Sequence, residues 1–123
     1  MKAFLTFIAI TLMITLPALA ADGPVRHIVA FKFKKDADPA AIKKVEEAFA
    51  ALKEKIPLIQ SIEWGTNSSA EKRDKGFTHC WVVSFKNTAD RDAYLVHPDH
   101  KAFGGVLKDV IDDVWVFDFV PKE

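Results

Sequence analysis

Seven residues, Tyr94-Leu95-Val96-His97-Pro98-Asp99-His100, hold the only tyrosine of the chain and two of its four histidines. Imidazole changes charge near neutral pH and a phenol donates a proton or a hydrogen bond, so these side chains suit acid–base chemistry. The other two histidines, His27 and His79, lie in alternating segments, in phase with Val29, Phe31, Trp81 and Val83. A histidine on such an apolar face is partly desolvated, which favours the neutral ring that accepts a proton. A base, a phenolic donor and two further imidazoles would together suit proton abstraction beside a carbonyl, with the donors stabilising an enolate. The competing reading is that each histidine only satisfies a hydrogen bond in or near the core.

Other chemistries find less support. His97 and His100 flank Asp99, but two histidines three apart are a weak metal signal without a third ligand at fixed spacing, and no metal is expected. There is no glycine-rich phosphate loop, Gly-x-Ser-x-Gly elbow or Cys-x-x-Cys pair, so nucleotide, serine-hydrolase and thiol-redox readings fall away and no cofactor is expected. The single cysteine, Cys80, cannot form an internal disulfide and reads as a small buried filler in a strand.

Hydrophobic period gives the elements that must position these groups. Val25 to Lys34 alternates as a strand, with Val25, His27, Val29, Phe31 and Phe33 on one face. Asp38-Pro39 reads as cap and first residue of a helix whose stripe is Ile42, Val45, Phe49, Leu52 and Ile56, stopped by Pro57. Leu58 to Trp64 is a second strand closed by Gly65, and Thr66 to Lys75 is a polar loop. Gly76 opens a third strand with Phe77, His79, Trp81, Val83 and Phe85 on one face. Asn87 or Thr88 caps a second helix that Pro98 ends, since helical geometry is disfavoured before proline. Phe103 to Ile111, entered through Gly104-Gly105, gives at most a short helical piece, and Val114 to Val120 is a last strand. The order β-α-β-β-α-β predicts an α+β, ferredoxin-like sandwich with its helices on one sheet face. Tyr94 and His100 would then reach one end of the sheet.

The opposite face is too apolar to stand bare. Ile28, Ala30, Cys80 and Val82 point there, and the last strand is apolar on both of its faces. A second copy packed sheet to sheet would cover it, so a homodimer is expected. Seventeen Lys and Arg balance seventeen Asp and Glu with no basic segment, which argues against nucleic acid or an anionic membrane as partner. Lys2, the uncharged run Phe4 to Leu16 and Pro17-Ala18-Leu19-Ala20 read as a signal peptide over residues 1–20, cleaved after Ala20. That leaves residues 21–123 as one exported domain, periplasmic or secreted, with no membrane association after cleavage.

The segments Arg26-His27-Ile28-Val29-Ala30-Phe31-Lys32-Phe33-Lys34, Trp64-Gly65, Gly76-Phe77-Thr78-His79 and His97-Pro98-Asp99-His100 with Phe103-Gly104 carry a likeness. In this order and spacing the chain, from about Val25 to Pro121, resembles the stress-responsive A/B barrel (Dabb) domain family. The resemblance implies a dimeric α+β barrel. Members that close linear polyketides by intramolecular aldol condensation imply His100 as general base, with Tyr94 orienting a thioester carbonyl or binding the enolate oxygen. They also imply His27 and His79 as pocket residues. Phe49, on the helix facing the pocket, and the bulky Trp81, on the third strand, are expected as substrate-contacting walls that reshape the cavity. Three functions are therefore carried forward. One is a non-catalytic dimer binding a small hydrophobic or carbonyl ligand. The second is a cyclase-like or isomerase-like enzyme using His100 and Tyr94, and the third is an oxygenase of the related barrel kind.

Overall fold

The computed structural model describes residues 2–3, 10–12 and 23–123. The cleavage site expected after Ala20 lies outside the described residues, as does most of the expected signal peptide. The elements run β1 (Val25–Phe33), α1 (Pro39–Lys55), β2 (Ile59–Thr66), β3 (His79–Phe85), α2 (Thr88–Leu95), α3 (Pro98–Leu107) and β4 (Ile111–Phe119). The four strands form one antiparallel sheet in the order β2-β3-β1-β4. This is an α+β, ferredoxin-like fold, as the pattern of periods predicted.

Each helix starts on a side chain that accepts from an otherwise unpaired N–H of its first turn. Asp38 accepts from Ala40 N at 3.0 Å, with Pro39 supplying the fixed φ of the first helical residue. Asn87 accepts from Asp90 N at 2.8 Å. His97 Nδ1 accepts from Asp99 N at 3.1 Å, again with proline next. That third cap corrects the sequence reading. Pro98 does end α2, but it also begins a ten-residue helix, and Gly104 and Gly105 lie inside α3 rather than before it. A proline stops the helix that precedes it, yet it is a good first residue for the next one.

The strand ends shift as well. β2 runs through Gly65 to Thr66, while Gly76 belongs to a turn and β3 begins only at His79. In that turn Asp74 accepts from Gly76 N at 2.8 Å, and Gly76 takes a positive φ that a side chain would strain.

The core lies between the sheet and the helices. Val25, Val29 and Phe31 of β1 and Trp81, Val83 and Phe85 of β3 meet Val45, Phe49 and Leu52 of α1, all buried. α1 thus covers the β3 and β2 half of the sheet. α2 and α3 stand beside the β1 and β4 half without sealing it: Val114 and Val116, paired with Phe31 and Val29, remain 42% and 52% exposed. On the other face Trp115, Phe117 and Phe119 are also exposed, with Trp115 and Phe117 stacked at 5.7 Å. Cys80 shares that open face and is exposed, not the buried filler expected. Partial desolvation pushes its thiol pKa up, the direction opposite to a nucleophile.

Candidate functional site

A cavity of about 490 Å³ opens between β1, β4, α2 and α3. Its floor is His27, Val29 and Phe31 of β1 with Val114, Val116 and Asp118 of β4; Arg91, Tyr94, His100 and Phe103 come from the helices, and Phe49 closes it from α1. The β1–β4 register explains the floor: His27 faces Asp118, Val29 faces Val116, and Phe31 faces Val114. Alternation sends all six side chains to the helix side.

Four of the six expected site residues, His27, Phe49, Tyr94 and His100, line it, and three of them bring their polar rings together. Tyr94, at the end of α2, is 1% exposed, and its ring lies 4.6 Å from that of His100 and 5.9 Å from that of His27. Burial pushes the phenol pKa well above its ordinary value, so it stays an O–H donor. His100 sits on the first turn of α3, directed there by the His97 cap. Burial holds its pKa below the ordinary 6.5, helped by the charge of His27 and, less, of His97, against an opposing hydrogen bond that the ring donates to the Leu95 backbone. Its neutral, proton-accepting form is therefore favoured.

His27 has support that single-sequence reading missed. Its Nδ1–H donates to Asp118 Oδ1 at 2.7 Å, and Asp118 Oδ2 accepts from Arg91 Nη1 at 2.9 Å. Arg91 is itself steadied by Asp92 at 2.8 Å. A carboxylate held by a guanidinium fixes the imidazole orientation and tautomer, leaving Nε2 for proton transfer. The signal was a lone aspartate in the apolar run Val114 to Val120, in phase with Val114 and Val116. It became legible only once β4 was paired with β1.

His79 and Trp81 are not in this cavity. Both face the helices, as alternation required, but one strand away, beneath α1. His79 Nδ1 is hydrogen-bonded to the Thr78 hydroxyl at 2.7 Å, its Nε2 lies 3.8 Å from Glu46, and its ring lies against Phe33 at 5.0 Å. Trp81 is fully buried, stacked on Phe49 at 4.6 Å. Phe49 does line the cavity. His97 serves as the cap of α3. A second hollow, near the β2–β3 end of the sheet between Trp64, Asn67, Asp74 and Phe77, is bordered by His79 with Glu63 and Cys80, and Tyr94, His100 and His27 are not part of it. Among the described residues no three His, Cys, Asp or Glu side chains converge as a metal site.

The fold and site together define a small ferredoxin-like α+β protein with an imidazole–phenol pocket beside β4. The chain belongs to the stress-responsive A/B barrel domain family, whose model matches residues 25–121. It is 30% identical to the stress-response A/B barrel domain-containing protein HS1 of Arabidopsis thaliana, over 82% of this chain and 93% of that one. It is 26% identical to olivetolic acid cyclase of Cannabis sativa, over 80% of this chain and 98% of the cyclase. Among solved structures it resembles a dimeric protein of unknown function and ferredoxin-like fold from Bacteroides fragilis. That likeness has a TM-score of 0.65 and 29% identity, covering 80% of this chain and 96% of that one.

Proposed function

We propose that this protein is a small homodimeric enzyme that moves a proton at carbon beside a carbonyl group. Its substrate would be a small carbonyl compound with an apolar body, and its reaction cyclase-like or isomerase-like. One observation carries the reading: Tyr94, His100 and the Asp118-supported His27 meet at a single apolar cavity. Neutral His100 takes the proton from the substrate carbon. The electron pair left behind enters the new carbon–carbon double bond, and charge gathers on the carbonyl oxygen, where the Tyr94 O–H donates a hydrogen bond. His27, with Nδ1 committed to Asp118, offers Nε2 as a second proton-transfer atom. The His100 imidazolium then returns its proton to a different carbon of a conjugated enolate, or to the alkoxide formed when the enolate attacks a second carbonyl of the same molecule, and is neutral again.

The Arg91–Asp118 support of His27 favours this reading over plain ligand storage, because a merely satisfied core histidine needs no ion-paired carboxylate. Similarity to a named cyclase agrees with it. The dimer is supported by the exposed Trp115, Phe117 and Phe119 on the face away from the helices and by the dimeric Bacteroides relative. Export is supported by the leader pattern of residues 1–20 alone.

Deuterium incorporation next to the carbonyl of heptan-2-one in heavy water, followed by NMR, tests the chemistry without knowledge of the natural substrate. His100→Ala and Tyr94→Phe should each slow the protein-dependent exchange by roughly a hundred-fold, and Asp118→Asn by roughly ten-fold. Exchange in both His100→Ala and Tyr94→Phe equal to that of the wild type would sink the reading.

A further inference from the structure

The helix-facing side of the sheet is divided in two. Over β1 and β4 it carries the cavity; over β3 it is packed beneath α1. Trp81 stands at the division. Its ring lies 4.7 Å from Phe31 and stacks on Phe49 at 4.6 Å with an interplanar angle of 8°, and both of those residues are cavity walls. On its other side it meets His79 at 5.6 Å and Trp64 at 5.7 Å. The indole is fully buried and its Nε1–H has no hydrogen-bond partner.

An enclosed N–H without an acceptor is destabilising, so the indole is not held there by its polar atom. Its contribution is volume and flat aromatic surface. A smaller apolar residue would spare the orphaned N–H but would leave space behind Phe31 and Phe49. That space leads along the same sheet face to His79, the one pocket histidine expected from sequence that the cavity does not reach.

We infer that Trp81 is a specificity-determining plug, which ends the cavity at Phe31 and Phe49 and limits its substrates to carbonyl compounds with short or compact apolar tails. This rests on the proposed carbonyl chemistry and deepens it. His79 is then separated from this cavity by Trp81, while on its other side it borders the second hollow. Shortening Trp81 should lengthen the cavity beneath α1 and bring His79 to its end.

The test is the tail-length profile of straight-chain methyl ketones, butanone, heptan-2-one and undecan-2-one, measured by calorimetric titration of the full dimer. Wild-type affinity should rise from butanone to heptan-2-one as methylenes are buried, then fall by roughly ten-fold at undecan-2-one, where the tail meets the Phe31 and Phe49 walls that Trp81 backs. Trp81→Val should bind undecan-2-one at least as tightly as heptan-2-one, while Trp81→Phe, which keeps most of the plug, should hold the wild-type cut-off. If the valine variant does not fold, Trp81→Leu serves with a smaller shift. Should both fail, the wild-type profile decides alone. Undecan-2-one binding to the wild type as tightly as heptan-2-one, or an unchanged profile in a folded valine or leucine variant, overturns the plug. Absence of binding by every ketone to every variant instead overturns the carbonyl-ligand reading, and the plug with it.

Discussion

At the scale of single residues the proposed chemistry is a problem of holding proton carriers in useful states. His100 is kept neutral by burial and by neighbouring imidazoles, Tyr94 is kept protonated by burial, and His27 is oriented by Asp118. The lowered pKa of His100 has a consequence for stability. The unfolded chain binds a proton at this residue as pH falls through the ordinary 6.5, while the folded chain resists until lower pH. The contribution is therefore fully present above that value and is lost as pH falls from it toward the folded pKa. His100→Gln should flatten the acid-side fall of the urea midpoint over roughly pH 7 to 5. An unchanged slope in the variant would show that the imidazole is not perturbed by folding. His97 acts in the opposite sense to a catalyst. Its Nδ1 must carry a lone pair to cap α3, so its value lies in accepting a backbone N–H, not in moving a proton.

Among the elements, α3 matters most, because it carries His100 and Phe103 to the cavity. The sequence signals around it conflict: a proline suggested a break, and two adjacent glycines suggested a loop. Caps explain why the helix forms anyway, but its glycines still weaken it. A Cβ at Gly105 would meet nothing within 4 Å, and the position is exposed inside the helix. Gly105→Ala should therefore raise stability by about 0.5–1 kcal/mol in denaturant titration. A loss of stability would mean that the glycine serves a contact outside the single chain. β4 also becomes intelligible at this scale. From Val114 to Phe119 every residue but Asp118 is apolar; one face floors a cavity and the other is exposed, so neither is covered by its own helices.

For the whole molecule, the exposed aromatic face and the proposed leader of residues 1–20 are the two features that reach beyond one folded chain. Each large side chain buried in a sheet-to-sheet dimer contributes roughly 1.5–3 kcal/mol, and two-fold symmetry doubles it. Phe117→Asp should thus weaken association by roughly a hundred-fold or more, shifting a micromolar sample to monomer in sedimentation. A variant that sediments like the wild type would place the interface elsewhere. Export predicts a mature N-terminus at Ala21, read by Edman degradation or intact mass from the native host. An intact Met1 terminus would locate the protein otherwise.

Alternation, capping signals and turn residues in the sequence by themselves determined the β-α-β-β-α-β order, the helix-facing phase of His27 and His79, the α1 stripe and the surplus apolar sheet face. These are local or periodic properties, set by residues a few positions apart. Convergence is not local. Which strand each helix covers decided that Tyr94, His100 and His27 share a cavity while His79 lies behind Trp81, since period fixes a face but not a place along it. The pairing of β1 with β4 brought Asp118 to His27 across ninety-one positions of chain, and no spacing rule encodes that distance. α3 was recoverable in principle from Pro98 as a first helical residue, but only the packing of Phe103 against Phe31 and Phe49 makes a helix there worth its two glycines.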